Sequence, residues 1–465
     1  MALRQIFNFI PEVTKPEEQK VGFNTKLKWT LIILGAFFVL SNIPLFGLSA
    51  NAMERFEYLA IILGTNFGSI ISLGIGPIVM ASIILQLLSG SGILQIDQST
   101  EEGKKFFSGL QKLLVFFFIV FEAIIYVAMQ GLQAIPGLGW LVIFQLILGG
   151  LAIFYMDEVT QKWGFGSGVS LFIAAGVSWR LFTSAFQFIN AQGQNCLLNF
   201  SGNTAVGCSG KVLSMLQAII LRLPTEFFSA MGAILATVVI FLMVVWAQSL
   251  KVEIPLSYGR IRGYAIKWPL SFFYASVIPV ILTAALMANF QLVGGLVQNW
   301  LGHPTFLGNF INGQAVSGLA FWMGSTNLLE IFIRGGFLPI YLFQGLTHVL
   351  FFMLFSTVFA IFWVKTSGMD SKAQAEKISS SGLQVAGFRQ DNRILESILD
   401  RYIMPLTVMG GMAIGLLAAV TDLLGSLVSG TAILLVIMIM FQFYQNIAQQ
   451  HAMDMNPAMR KFMGG

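Results

Sequence analysis

Apolar residues run along the chain in long blocks, each closed by charged residues or by Gly, Pro and Asn. A block of about twenty apolar residues matches the hydrocarbon thickness of a bilayer and predicts a transmembrane helix. Ten blocks have this character: 29–48, 70–90, 108–131, 138–156, 165–187, 227–249, 270–290, 338–364, 402–422 and 428–446. One further run, 54–66 (ERFEYLAIILGTN), is too short to span, with charges at one end and Gly64, Thr65 and Asn66 at the other. It reads as a re-entrant or interfacial half-helix leading into span 2.

The polar segments between blocks fix orientation. With the N-terminus in the cytoplasm, 21 of the 26 Lys and Arg fall on the cytoplasmic side and 5 outside. This is the bias expected of positive-inside topology, and an even span count puts both termini inside. Lys112 and Arg180, near span ends, are assigned here to their adjacent loops. Residues 1–28 carry five Lys or Arg and no apolar core of a cleavable signal, so span 1 is expected to act as its own insertion signal.

Composition narrows the class. Only 10% of the 465 residues are charged, 56% are hydrophobic, and mean hydropathy is +0.79. A soluble domain carries about 25% charged residues, so a fully water-facing surface is excluded. Within the predicted spans ionisable residues are scarce, and only Glu122 in span 3 is an acid well inside one. His348 reads as a packed or interfacial histidine, and Arg180 and Arg222 lie where they can snorkel. Coupled carriers and proton pumps normally bury several carboxylates, which speaks against that class. No HExxH, GxSxG or Walker pattern supports an enzyme, and no spacing supports a metal site or cofactor. Cys196 and Cys208 share one polar loop, either as free thiols or as a disulfide if the loop is extracytoplasmic. What remains is a passive conduit gated by apolar side chains, with a basic face able to dock an anionic partner.

Two cytoplasmic loops carry that basic face. Loop 251–269 (KVEIPLSYGRIRGYAIKWP) has Arg260 and Arg262 at a tip flanked by Gly259 and Gly263, which predicts a hairpin-like projection. Loop 365–401 predicts helical stretches near 370–380 and 391–401, with Arg389 between them. Ten spans divide into five plus five, and halves with an odd number of spans follow each other inverted. Span 2 carries Gly74, Gly76 and Pro77, and span 7 carries Pro279. Interrupted helices at corresponding places in inverted halves can mark a functional seam, though Gly and Pro are also common in membrane helices.

Several long strings are similar to those of the SecY family, the central subunit of the Sec translocon, in its archaeal style. They are SLGIGPIVMASIILQLLSGSGIL (72–94), MDEVTQKWGFGSGVSLFIAAGVS (156–178), VEIPLSYGRIRG (252–263), SVIPVILTAALMANFQ (276–291) and RYIMPLTVMGG (401–411). They extend in family order over about residues 10 to 450. The resemblance implies an all-α polytopic fold in which ten transmembrane helices form two inverted five-helix halves around a central pore. It implies a segmentation into a cytoplasmic N-terminal segment (1–28), a first half (29–187), an extracytoplasmic loop (188–226), a second half (227–446) and a cytoplasmic tail (447–465).

It also implies roles. The plug would be 54–66, with Glu54, Phe56, Leu59, Ile62 and Gly64. A ring of aliphatic side chains, Ile75, Val79, Val169, Ile173, Ile281 and Leu435, would close the pore by dewetting it. A lateral gate between spans 2/3 and 7/8 would hold Met80, Glu122 and Asn289, with Met80 where the family often has a hydroxyl. Arg260, Arg262 and Arg389 would dock ribosomal RNA, whose phosphates suit Arg. The implied partners are two small single-span subunits (a SecE-type and a SecG/beta-type), the ribosome, signal sequences and nascent chains, and membrane lipid. The implied activity is passage of secretory proteins and sideways release of transmembrane segments, with no cofactor and no catalysis.

Overall fold

The computed structural model describes residues 11–16, 21–48, 68–90, 93–94, 100–129, 132–189, 195–197, 207–258, 265–275, 277–311, 314–380, 383–385 and 392–455. In chain order the helices are α1 (Phe23–Ser41), α2 (Gly76–Gly90), α3 (Glu101–Ala128), α4 (Gly139–Trp163), α5 (Gly168–Phe186), α6 (Lys211–Leu221) and α7 (Pro224–Gln248). They continue with α8 (Ile278–Leu301), α9 (Leu319–Met323), α10 (Leu328–Ile333), α11 (Pro339–Thr366), α12 (Ser371–Ser380), α13 (Asn392–Leu423) and α14 (Gly430–Met455). Five strands lie outside the bundle: β1 (Lys251–Tyr258), β2 (Ala265–Ser271), β3 (Asn309–Ile311), β4 (Gln314–Ser317) and β5 (Leu383–Val385). Among the described residues nine helices are long and apolar enough to cross a membrane.

The remaining predicted span, span 2 (70–90), is helical only from Gly76. Gly74 sits at φ +52, in the left-handed region that favours glycine. Residues 68–75 instead wind through tight turns: Ser72 N–H donates to Ser69 O, Gly74 N–H to Ile71 O and Gly76 N–H to Leu73 O. Such backbone survives at membrane depth only when protein covers it, and Ile71, Ser72 and Leu73 are fully buried. The seventh span also differs from expectation, because α8 starts at Ile278 and not at 270. Leu270 and Ser271 still pair in β2. The apolar run 270–277 misleads because Leu270, Tyr274 and Ala275 fill a second small core with residues of α11, α12 and α13. The helix expected near 391–401 is the first part of α13, which runs unbroken through Pro405.

The predicted hairpin of loop 251–269 forms from β1 and β2. Its partner was not foreseen. β5, from loop 365–401, adds to the other edge of β1, pairing Leu256 with Val385 and Tyr258 with Leu383. The two basic loops are thereby one three-stranded sheet in the order β2-β1-β5. In the outer segment 188–226, Cys196 and Cys208 form a disulfide, which settles the alternative left open by sequence.

Neighbour relations repeat between the halves. In the first, α2 packs on α3, α3 on α4, α4 on α5, and α5 on α1. In the second, α8 packs on α11, α11 on α13, α13 on α14, and α14 on α7. The agreement extends to single residues. A Cβ on Gly149 of α4 would lie 1.9 Å from Ile70 O, six residues before α2 begins. A Cβ on Gly410 of α13 would lie 2.6 Å from Phe272 O, six residues before α8 begins. Small residues at such points let helix and backbone close directly.

The ends of α4 and α13 match as well. Asp157, 5% exposed, accepts the N–H of Val169 at 3.0 Å, in the first turn of α5. Asp422, 4% exposed, accepts the N–H of Thr431 at 2.6 Å, in the first turn of α14. Each carboxylate caps the helix N-terminus that follows it in the chain. The core runs through both halves as one cluster, while large apolar side chains such as Trp140, Leu242 and Phe343 face outward for lipid.

Candidate functional site

The halves meet along two lines. On one side α2 lies against α8 and α11, and on the other α5 and α1 lie against α14. Between these lines sits a cavity of about 440 Å³ lined by α2, α3, α4, α5, α8, α11 and α14. Its lining includes Trp363, Thr366 and Ser367 at the end of α11, where Trp363 packs on the small core that Leu270 of β2 shares with α12 and α13.

Of the six residues expected to form a ring, Val79, Val169 and Ile281 line this cavity. Ile75, Ile173 and Leu435 are buried in the same apolar cluster, each four residues along its chain from a lining residue, which are Val79, Val169 and Ile439. One helical turn separates residues four apart, so these positions lie on two levels. Ile278 and Ile439 also line the cavity and were missed from sequence, where nothing distinguishes them from other aliphatic span residues.

The repeat of the two halves relates several of the expected ring positions. Val79 and Ile281 each stand three residues after the first residue of their helices, Gly76 and Ile278. Ile173 and Leu435 each stand five residues after theirs, Gly168 and Gly430. Two pairs of the expected ring positions are therefore equivalent under the relation of the halves.

The remaining expectations fare unevenly. Residues 54–66, with Glu54, Phe56, Leu59, Ile62 and Gly64, lie outside the described residues, as do Arg260, Arg262 and Arg389. Met80 is half-buried on α2. Asn289 donates to Ala285 O of its own helix at 2.8 Å. The Oε2 of Glu122 is buried without a hydrogen-bond partner, and no hydrogen bond among the described residues joins Glu122 to Asn289.

Other acids are buried nearer helix ends: Asp157 and Glu158 lie in the last turns of α4, and Asp422 is next to the last residue of α13. Hydropathy ended span 4 at 156, whereas the helix runs to Trp163 because these carboxylates are satisfied by protein. Glu158 bridges Lys112 at 2.7 Å and Lys162 at 2.8 Å. Lys112 is accordingly a member of α3 and not of a loop. Segment 11–16 straps this pair of helices. The N–H of Val13 donates to Glu158 at 3.3 Å, Lys162 donates to Val13 O and Trp163 to Thr14 O. The Lys112 ammonium, 2.6 Å from Glu12, holds that carboxyl below its ordinary range. At the opposite end, His348 is fully buried, bonded through Nδ1 to Met323 O at 2.7 Å with Nε2 3.6 Å from Asp422. Among the described residues no cluster of three or more His, Cys, Asp or Glu could hold a metal.

A helical membrane bundle with two inverted halves, two interrupted helices and an apolar floor beneath a cavity is a gated transmembrane conduit. The comparisons with known proteins identify which. The SecY family matches residues 69–444. The protein translocase subunit SecY of Methanothermobacter thermautotrophicus is 44% identical over 464 residues, covering 99% of this chain and 98% of that one. Its counterpart from Methanocaldococcus jannaschii is 38% identical over 459 residues, covering 98% of each. Among solved structures, one described as a protein conducting channel is similar with a TM-score of 0.83 at 36% identity, over 98% of this chain and 99% of that one. Sec61 in the canine ribosome-channel complex from the endoplasmic reticulum is similar with a TM-score of 0.80 at 36% identity and the same coverage. The chain belongs to the SecY family.

Proposed function

We propose that this chain is the central subunit of the protein-conducting channel that moves secretory proteins across the membrane and releases transmembrane segments sideways into lipid. It is a multi-pass membrane protein, and it acts as a passive pore, not an enzyme, driven by a partner such as the ribosome. The observation that carries the reading is the equivalence of Val79 with Ile281 and of Ile173 with Leu435 at the floor of the cavity. A ring built from both halves widens when the halves part and dewets when they close.

The other roles follow. Packing of α2 on α8 and α11 supports a lateral gate there, with Met80, Glu122 and Asn289 near it. Sequence similarity to the family supports 54–66 as the plug and Arg260, Arg262 and Arg389 as the ribosome-docking face. SecE-type and SecG/beta-type subunits complete the complex. Both termini are cytoplasmic. The Lys/Arg bias supports this, and so does the disulfide, which belongs in an oxidising compartment and sits in the outer loop.

The test is photocrosslinking of a stalled secretory nascent chain to a probe at Ile75 or Ile281, with a probe at lipid-facing Leu242 as control. The expected result is a crosslink at the two ring positions and none at the control. Absence at both ring positions overturns the reading.

A further inference from the structure

Above the apolar floor the cavity changes character. Five carboxamides line it: Gln86 from α2, Gln111 from α3, Gln161 from α4, and Gln442 and Asn446 from α14. Among the described residues no Lys, Arg or Glu lines it, and the only charged side chain is Asp157, whose oxygens are taken up by Val169 N–H at 3.0 Å and Gln161 Nε2 at 2.8 Å. Gln86 is 4% exposed, and its Oε1 is buried with no hydrogen-bond partner among the described residues. An unmade bond at a buried polar atom is costly, so a glutamine kept there implies a partner that arrives. Gln111 is held in place by donating to Ser82 Oγ at 3.0 Å.

We infer that this carboxamide collar is a binding site for the polypeptide main chain, which it holds in extended form just before the constriction. The inference rests on the channel reading and adds what the cavity recognises. A peptide group offers one N–H and one C=O. Asn and Gln are the side chains whose amide presents both a donor and an acceptor, so each can answer either half of a peptide group. A charged collar would sort passing sequences by charge. An amide collar is indifferent to side chains, which suits a conduit for many sequences. Members from α2, α3 and α4 face members from α14, so the site belongs to both halves. Main-chain hydrogen bonds replace water just before the chain enters the dry ring.

The test uses the full chain with its co-purifying subunits in vesicles and ribosome-stalled nascent chains of equal length. One nascent chain carries alanines in the segment that sits in the cavity. The other carries the matching α-hydroxy acid at alternate positions, which removes N–H donors without changing side chains. The readout is the rate of back-sliding after puromycin release, followed by protease protection. Wild type is expected to let the ester chain slide back roughly fivefold faster than the amide chain, about one net hydrogen bond. Gln86→Leu with Gln442→Leu should slide both chains at the ester rate, and Gln86→Asn with Gln442→Asn should restore the difference. Gln442→Leu alone, at an exposed position, should show a partial loss and covers the case in which Gln86→Leu fails to assemble. Equal rates in wild type, or a full difference surviving in the Leu variants, overturns the collar. If wild type protects neither chain, the channel reading itself fails.

Discussion

Replacing Gly149 by Ala tests how tightly the interrupted segment 68–75 is held. The new Cβ would stand 1.9 Å from Ile70 O and 3.1 Å from Ile70 Cγ2. A normal carbon–oxygen contact is about 3.4 Å, so α4 and the turn must separate by about 1.5 Å. The nearest atom is backbone, so no rotamer relieves it. Overpacking of this kind costs about 1–3 kcal/mol and occasionally more, and loss of the fully buried packing at Ile71 and Leu73 puts this site at the upper end. The gain of Ala over Gly in helix propensity, about 1 kcal/mol, offsets part. Gly410→Ala is the internal comparison: its Cβ would be 2.6 Å from Phe272 O, a smaller overlap. Gly345→Ala is the control, because the atoms nearest its Cβ would be Leu423 methyls at 3.4 and 3.5 Å and a Leu328 methyl at 3.8 Å, all ordinary contacts. Thermal stability of the detergent-solubilised complex, read by fluorescence size-exclusion after heating, should rank wild type above Gly410→Ala, and Gly410→Ala above Gly149→Ala. Gly345→Ala should match or exceed wild type. A Gly149→Ala variant as stable as wild type would refute the close approach and the reasoning built on it.

Other expectations are shorter to state. Glu158→Gln leaves Lys112 and Lys162 with Glu12 as their remaining carboxylate, so the loss should fall below the about 3–5 kcal/mol typical of a buried charge stripped of its partner, and Lys112→Met added to it should recover part of the loss in a double-mutant stability cycle. Ile75→Asn with Ile281→Asn should wet the ring and raise resting ion conductance in a planar bilayer, and unchanged conductance would count against the ring. Maleimide should not label Cys196 or Cys208 until a reductant is added, and the double Ser variant should lose about 3 kcal/mol of loop-closure stabilisation.

Much of the architecture was legible because spans are defined by what they lack. Charge scarcity and block length located the membrane helices, and Gly74, Gly76 and Pro77 announced that span 2 is broken. The failures have physical causes. Apolar residues 270–277 looked like bilayer-spanning chain because burial under α12 and α13 demands the same side chains as lipid does. Asp157 and Glu158 looked like a span boundary because a sequence does not display the Val169 N–H and the lysines that satisfy them. β5 is three residues long and acquires meaning only beside β1. At the site, the six proposed ring positions could be named only through family strings, since aliphatic residues are common throughout spans. The carboxamides above it were not singled out, because their convergence depends on how four helices are placed.

The matched glycines and carboxylates of α4 and α13 also speak about history. Gly149 and Gly410 face backbone six residues ahead of their interrupted helices, and Asp157 and Asp422 cap the helices that follow them. Chance does not place the same two fittings at corresponding points of two chains of five helices. A single five-helix ancestor, able to insert in either direction and to pair with its own inverted copy, would need each fitting only once. Fusion of two such copies lets the duplicates diverge, as Thr431 has from Val169. The positions that have kept their role since then are those that lock each half internally. The seam between the halves inherits the older condition of an interface between separate subunits, which is why it is the part of the molecule built to come apart.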